Sequence, residues 1–431
     1  MLVSIDGLRP EFYLDRTWPA PMLQQMAAEG AHARAVETVF PSVTYPSHTS
    51  MVTGVRPARH GIHYNAPFEP GGVSGRWYWH ANAITAPTLW SSVAATGGTS
   101  AAIGWPVTVG ATIDWNIPEI WSLDPAISHV EAMRRASTPD SLFAEIEREA
   151  TGRLRDDNFT IDHMRRDTKA AEAAAHILET HRPTLLLVHL IATDHFQHED
   201  GREGPRVRRA VAVADRALSQ LVEAAERTGI QDRTAFVVTG DHGHVTRHTK
   251  VAPNIWLAAD GFVEPTADRG SWRAVFHTTG SAAFLHLRDP ADSETLDRVR
   301  ALLAARPSSE RALFTVLERD ALAALGAAPE AALGLAMHPG IDATSAVDGP
   351  ALRPTSGATH GYLPGSSPDL ATGLVAWGAG VVPGARASRL SLVDIAPLVG
   401  ALLGLDFERQ ADTEGIAPRG WLRTATADAD D

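Results

Sequence analysis

Cysteine is absent from all 431 residues. Disulfides and thiolate zinc sites are thereby excluded, while the compartment stays open because reducing and oxidising locations both tolerate such a chain. Lysine is nearly absent as well: two lysines stand beside 36 arginines, a bias that, with abundant alanine, suggests a GC-rich bacterial genome. The formal net charge of −13 is spread along the chain with no basic block, so an electrostatic footprint for nucleic acid or anionic membrane is missing. No apolar run approaches the roughly 18 residues of a membrane helix. Met1 to Ile5 read as a buried strand, so the chain as given carries no signal peptide. The expectation is a soluble protein, exported only if a leader has been trimmed away. Its oligomeric state is not legible.

Short apolar runs alternate with segments of helical period, the pattern of a mostly parallel central sheet with helices on both faces, the α/β class. Strands are expected at 1–5, 184–193, 234–240 and 370–377. Between the second and third, residues 206–229 repeat apolar positions at three and four and stop at Gly229, as a helix should. From about 246 to 356 the texture changes to Ala-rich helices and short β-like pieces rich in Pro and Gly. This stretch reads as a cap inserted within a single domain spanning 1–431, and the Asp-rich last seven residues read as a frayed tail.

Three apolar runs stop at acidic residues: "MLVSID" at Asp6, "TLLLVHLIATD" at Asp194, and "TAFVVTGDH" at Asp241 and His242. Ligands of open α/β sheets bind beyond the carboxyl ends of the strands, so residues distant in sequence can converge there. One such Asp is an ordinary turn or cap residue. Three of them together would repel one another and raise each other's pKa unless a divalent cation sat between them. Carboxylate with imidazole suits zinc best, with other divalent ions possible. Asp194 and His198 are four residues apart and can reach one ion from a single helical turn. His360, between glycines in "SGATHGYLP", is the candidate third ligand. His195 points elsewhere, His189 reads as a hydrogen-bonded core residue, and His244 as an outer partner or a bystander.

In "FPSVTYPSHTSMVTG", residues 40–54, Thr44 precedes a short helix. Alone, Thr44 or Ser47 reads as a helix cap. A threonine becomes a nucleophile only when a base or metal lowers its pKa, and a helix N-terminus adds a favourable dipole.

Taken in order, "SIDGLRPEF", "FPSVTYPSHTSMVTG", "HGIHYN", "TDHFQH", "TGDHGH" and "THGYLP" resemble the alkaline phosphatase superfamily, specifically its nucleotide pyrophosphatase/phosphodiesterase branch. The resemblance implies an alkaline phosphatase-like fold and two zinc ions. Asp6, Asp241, His242 and Thr44 Oγ would hold one ion, and Asp194, His198 and His360 the other. Thr44 would be the nucleophile, Asn65 would hydrogen-bond a phosphoryl oxygen, and Tyr45 would stack on a base.

The implied activity is hydrolysis of phosphodiester or pyrophosphate bonds in small, nucleotide-type substrates through a phosphothreonine. A phosphomonoesterase or phosphonate hydrolase on the same metals is the alternative, and an inactive metal-containing binding protein is the alternative of another class. Six of the eleven tryptophans fall between 77 and 121, and aromatic packing explains each as well as substrate stacking does.

Overall fold

The computed structural model describes residues 1–264 and 270–423. Its centre is a nine-stranded sheet in the order Trp115–Ile117, Ser100–Ile103, Leu185–Leu190, Leu2–Ile5, Ala235–Thr239, Thr372–Gly378, Ala31–Glu37, with the short strands Arg386–Ala387 and Leu390–Ser391 both pairing with Ala31–Glu37. Leu2–Ile5 lies parallel between Leu185–Leu190 and Ala235–Thr239. Its alternate side chains divide between two cores. Val3 and Ile5 join Val188, Leu190 and Val238 on one face, while Leu2 joins Leu185, Leu187 and Val237 on the other. Burial on both faces is why these strands read as continuous apolar runs and not as alternating ones.

Helices His163–His181 and Pro205–Arg227 contribute Ala174, Ile177, Leu218 and Leu221 to the first core. Thr44–Thr53 and Ile395–Leu402 contribute Met51, Val52, Leu398 and Val399 to the second. The helix expected over 206–229 begins with Pro205 at its first position and ends at Arg227, with Gly229 just beyond. Among the described residues no helix is long and apolar enough to cross a membrane.

Two expectations change in detail. The strand anticipated over 184–193 stops at Leu190, and Asp194 lies instead in the first turn of helix Ala192–Asp200. The cause is Asp167: its carboxylate accepts the N–H groups of Ile191 and Ala192 at 2.8 and 3.0 Å, satisfying donors that a helix start leaves open. The strand anticipated near 370–377 forms as Thr372–Gly378 but runs antiparallel to both neighbours. The chain leaves Ala235–Thr239 and returns beside it, where Gly240 N–H donates to Gly373 O at 3.2 Å. Antiparallel pairing needs no crossover from that position.

Between these strands lie a four-stranded antiparallel sheet, Phe314–Glu318, Leu333–Met337, Ala282–Leu287, Ala274–Thr279, and a three-stranded one built on Thr249–Val251. They enclose an apolar cluster of their own that includes Trp256, Phe276, Leu285 and Leu335. A two-stranded pairing of Val245–Thr246 with Ala358–Thr359 closes the neck of the insertion.

Candidate active site

Asp6 follows directly on Leu2–Ile5, and Asp241 and His242 follow Ala235–Thr239, so adjacent parallel strands deliver all three to one end of the sheet. Asp241 Oδ1 accepts the N–H groups of Gly7 and His242, both at 3.0 Å, which turns Oδ2 the other way. There His242 Nε2 stands 3.1 Å from Asp241 Oδ2 and 3.6 Å from Asp6 Oδ1. All three residues are buried. The second group forms on helix Ala192–Asp200, where Asp194 Oδ1 and His198 Nε2 are 3.2 Å apart across one turn. His360 directly follows the short strand Ala358–Thr359 after the insertion and brings its Nε2 to 3.1 Å from that of His198 and 3.5 Å from Asp194 Oδ1. Gly357 permits this approach, since a Cβ there would lie 2.1 Å from the His198 carbonyl oxygen. The two groups adjoin, with the His242 and His360 rings stacked at a centroid distance of 3.5 Å.

Burial and then the charges of Asp241 and Asp194 push the Asp6 carboxyl up. Burial pushes Asp241 the same way, but the His242 and His48 rings and the Gly7 N–H outweigh it and hold this carboxyl below its usual range. Asp194 is likewise held down against burial by its histidine neighbours, His198 foremost. Burial, then His242, pushes His360 down to about 4.

The donor atoms fit a metal. Nδ1 of His198 donates to the Ala358 carbonyl at 3.0 Å and Nδ1 of His360 to the Ser42 carbonyl at 2.9 Å. Each bond fixes the tautomer and leaves a lone pair on Nε2. The two Nε2 atoms stand 3.1 Å apart, a separation that a cation shared between their lone pairs would account for. Asp6 Oδ1, Asp194 Oδ1, Asp241 Oδ2 and both nitrogens of His242 are buried without a hydrogen-bond partner. Buried polar groups are otherwise almost always paired.

Thr44 is the first residue of the ten-residue helix Thr44–Thr53, and it is half-buried where its nine successors are buried. Val43 occupies the cap position and no side chain caps this end, so neither Thr44 nor Ser47 serves as a cap. The helix start is tied to both ligand groups. Ser42 O holds His360, while His48, one turn on, donates from Nδ1 to Thr44 O at 2.8 Å and lies 3.7 Å from Asp241 Oδ2. Burial, then His189, pushes His48 down to about 3, so its ring is neutral. Asn65 Oδ1 accepts the Tyr45 N–H at 2.9 Å, which leaves the Asn65 NH₂ as a donor beside the helix start.

Tyr45 departs from expectation. It is fully buried, its ring meets Trp77 edge-on at 5.1 Å, and Ile62, Trp79 and Val107 complete the packing. No face of the ring is open to a base. The neighbouring tryptophans also pack on one another, Trp121 against Trp77 at 4.9 Å and against Trp79 at 5.1 Å. His195 points away from the ligands, as its spacing indicated, and lies against His163 at 3.9 Å. His189 is a hydrogen-bonded core residue whose Nδ1 lies 3.2 Å from Gly104 O, and its Nε2 lies 3.1 Å from Asp6 Oδ2. The largest surprise is His244, anticipated as an outer partner or bystander. It lies inside the second group with Nε2 3.0 Å from Asp194 Oδ1. The His-Gly-His repeat of "TGDHGH" was its only signal.

A family model described as type I phosphodiesterase / nucleotide pyrophosphatase matches residues 1–363. An uncharacterized pyrophosphatase/phosphodiesterase of Schizosaccharomyces pombe is 25% identical over 275 residues, which cover 63% of this chain and 50% of that protein. Mouse ectonucleotide pyrophosphatase/phosphodiesterase family member 3 is 22% identical over 255 residues, 56% of this chain and 24% of its own length. The chain thus spans half or less of these relatives. Human ectonucleotide pyrophosphatase/phosphodiesterase 5 shares the fold with a TM-score of 0.65 at 18% identity, covering 94% of each chain. An inactive threonine-to-alanine form of the murine counterpart, in complex with AMP, matches with a TM-score of 0.65 at 17% identity, over 96% of this chain and 98% of its own.

Proposed function

The chain belongs to the type I phosphodiesterase / nucleotide pyrophosphatase family, and from that premise we propose that it hydrolyses phosphodiester or pyrophosphate bonds in nucleotide-type substrates, with Thr44 as nucleophile. The observation that carries this reading is the junction of two metal-competent groups at the N-terminus of helix Thr44–Thr53. We read one catalytic unit over the whole chain, with the stretch from about 246 to 356 inserted in it.

Asp6, Asp241, His242 and Thr44 Oγ would hold one divalent ion, and Asp194, His198 and His360 the other. When bound, such ions, zinc by ligand type, supply Lewis acidity at both ends of an in-line displacement and favour the ionised hydroxyl. Thr44 Oγ attacks phosphorus, its proton passes to solvent, and the bond from phosphorus to the leaving oxygen breaks. The N-terminal dipole of helix Thr44–Thr53 favours negative charge at this position. The Asn65 amide donates to a phosphoryl oxygen that gains charge in the transition state. A water molecule then attacks the phosphothreonine, breaking the Oγ–P bond and restoring the hydroxyl. Two inversions give net retention at phosphorus. Three carboxylates and the threonine alkoxide together balance two divalent ions, so a singly charged diester meets no excess repulsion.

Nucleotide selectivity rests here on the family and on the AMP complex of the murine relative, since Tyr45 offers no stacking face. Thr44→Ala is expected to abolish most turnover of bis(4-nitrophenyl) phosphate while metal content is retained. Near wild-type rates would discard Thr44 as nucleophile. A large preference for the matching nitrophenyl monoester would move the assignment to a monoesterase.

A further inference from the structure

We propose that His244 is a fourth protein ligand at the Asp194 position, an inference that rests on reading that position as a metal site. His244 is fully buried, and Nε2 lies 3.0 Å from Asp194 Oδ1. Neither of its ring nitrogens has a hydrogen-bond partner, so the close approach is not directed as a hydrogen bond. Two donor atoms that near each other without hydrogen-bond geometry fit a common point between them.

The spacings define that point. Asp194 Oδ1 is 3.2, 3.0 and 3.5 Å from Nε2 of His198, His244 and His360, and one edge between histidines, His198 to His360, is 3.1 Å. Ligands about 2.0–2.1 Å from a tetrahedral zinc are separated by roughly 3.3–3.4 Å. The measured separations scatter around that edge length, and all four ligand atoms lie within 4.8 Å of one another. The His244 ring is turned 76° to that of His198 and 74° to that of His360, at centroid distances of 5.0 and 5.3 Å, so the three imidazoles splay around one centre. Gly7 makes the room. Its φ is +69°, and a Cβ there would lie 2.7 Å from His244 Cε1.

One carboxylate and three imidazoles would give this ion four protein ligands in place of the three that leave a position open, so a reacting oxygen would enter as a fifth ligand or by displacing one of them. His244 thereby sets how tightly this ion is held and how readily its position opens.

The test is a crystal structure of the zinc-loaded full chain, with chelator competition on wild type, His244→Gln, His244→Ala and, as comparator, His198→Ala. The expected result is His244 Nε2 about 2.0–2.1 Å from the ion. Both His244 variants should release one of two ions at a chelator concentration at least about 10-fold lower, as His198→Ala does, with the ion at Asp6 retained. An ion bound by Asp194, His198 and His360 with His244 Nε2 beyond about 2.8 Å overturns the proposal while leaving the metal site standing. So does an unchanged release curve in both His244 variants. Absence of any ion at Asp194 overturns both the proposal and the reading beneath it. The crystallographic distance needs no variant, and Gln keeps most of the buried volume if Ala does not fold.

Discussion

In the proposed mechanism Asn65 serves structure and chemistry with different atoms. Its carbonyl oxygen is taken by the Tyr45 N–H at 2.9 Å, which orients the amide and leaves NH₂ for a phosphoryl oxygen. Removing one donor aimed at developing negative charge commonly costs about 10²–10³ in kcat, or about 2.7–4 kcal/mol. Asn65→Ala is expected to fall in that range with metal content unchanged. Asn65→Asp, which keeps the acceptor and loses the donor, should be at least as damaging. If kcat in either variant stays within a factor of two or three of wild type, the donor role is wrong.

At the scale of an element, helix Ala192–Asp200 is placed by Asp167, which lies on helix His163–His181 and is itself fully buried. Burial pushes its carboxyl up from 3.8 to about 7, against the opposing pull of the Ile191 and Ala192 N–H groups. Below pH 3.8 the folded and unfolded chains both hold this proton, so the group contributes no pH dependence. Between 3.8 and about 7 the folded protein keeps a proton that the unfolded chain has released. Stability therefore falls as pH rises through that window, and above about 7 the loss is complete. At about 1.4 kcal/mol per unit, the loss amounts to at most about 4 kcal/mol. Asp167→Asn removes the titration. Denaturant melts from pH 4 to pH 8 should show wild type losing stability relative to the variant as pH rises, and parallel profiles would refute the assignment. Because the same helix carries Asp194 and His198, the variant should also weaken retention of the ion at Asp194.

On the scale of the whole molecule, the ligands join distant parts of the chain. Asp6 lies near the start, His360 follows the insertion, and Thr44 lies in the chain between Ala31–Glu37 and Ser100–Ile103, strands on opposite sides of Leu2–Ile5. Ions that bind only this assembled arrangement stabilise the fold by mass action, by about 2.7 kcal/mol for each site at a free concentration of 100 Kd. Chelator-treated protein should accordingly melt at a lower temperature and lose diesterase activity, and added zinc should restore both. A melting temperature indifferent to chelator would argue against metal at either position.

The sequence by itself determined the α/β class, the core strands and the segments that carry the candidate ligands, because these depend on local patterns. Apolar runs buried on both faces mark Leu2–Ile5 and Leu185–Leu190, and a helical period with Pro205 and Gly229 marks the helix between strands. The four-residue spacing of Asp194 and His198 was equally legible. Tertiary structure alone decided the rest. Asp167, remote in sequence, ends the strand before Asp194 and starts a helix there. The return of the chain after the insertion reverses Thr372–Gly378. Tryptophans from other loops close over Tyr45, and the open backbone at Gly7 admits His244 to the ligand group. Each of these outcomes depends on which side chains meet across the fold, and a pattern read along the chain registers only what lies within a few residues of itself.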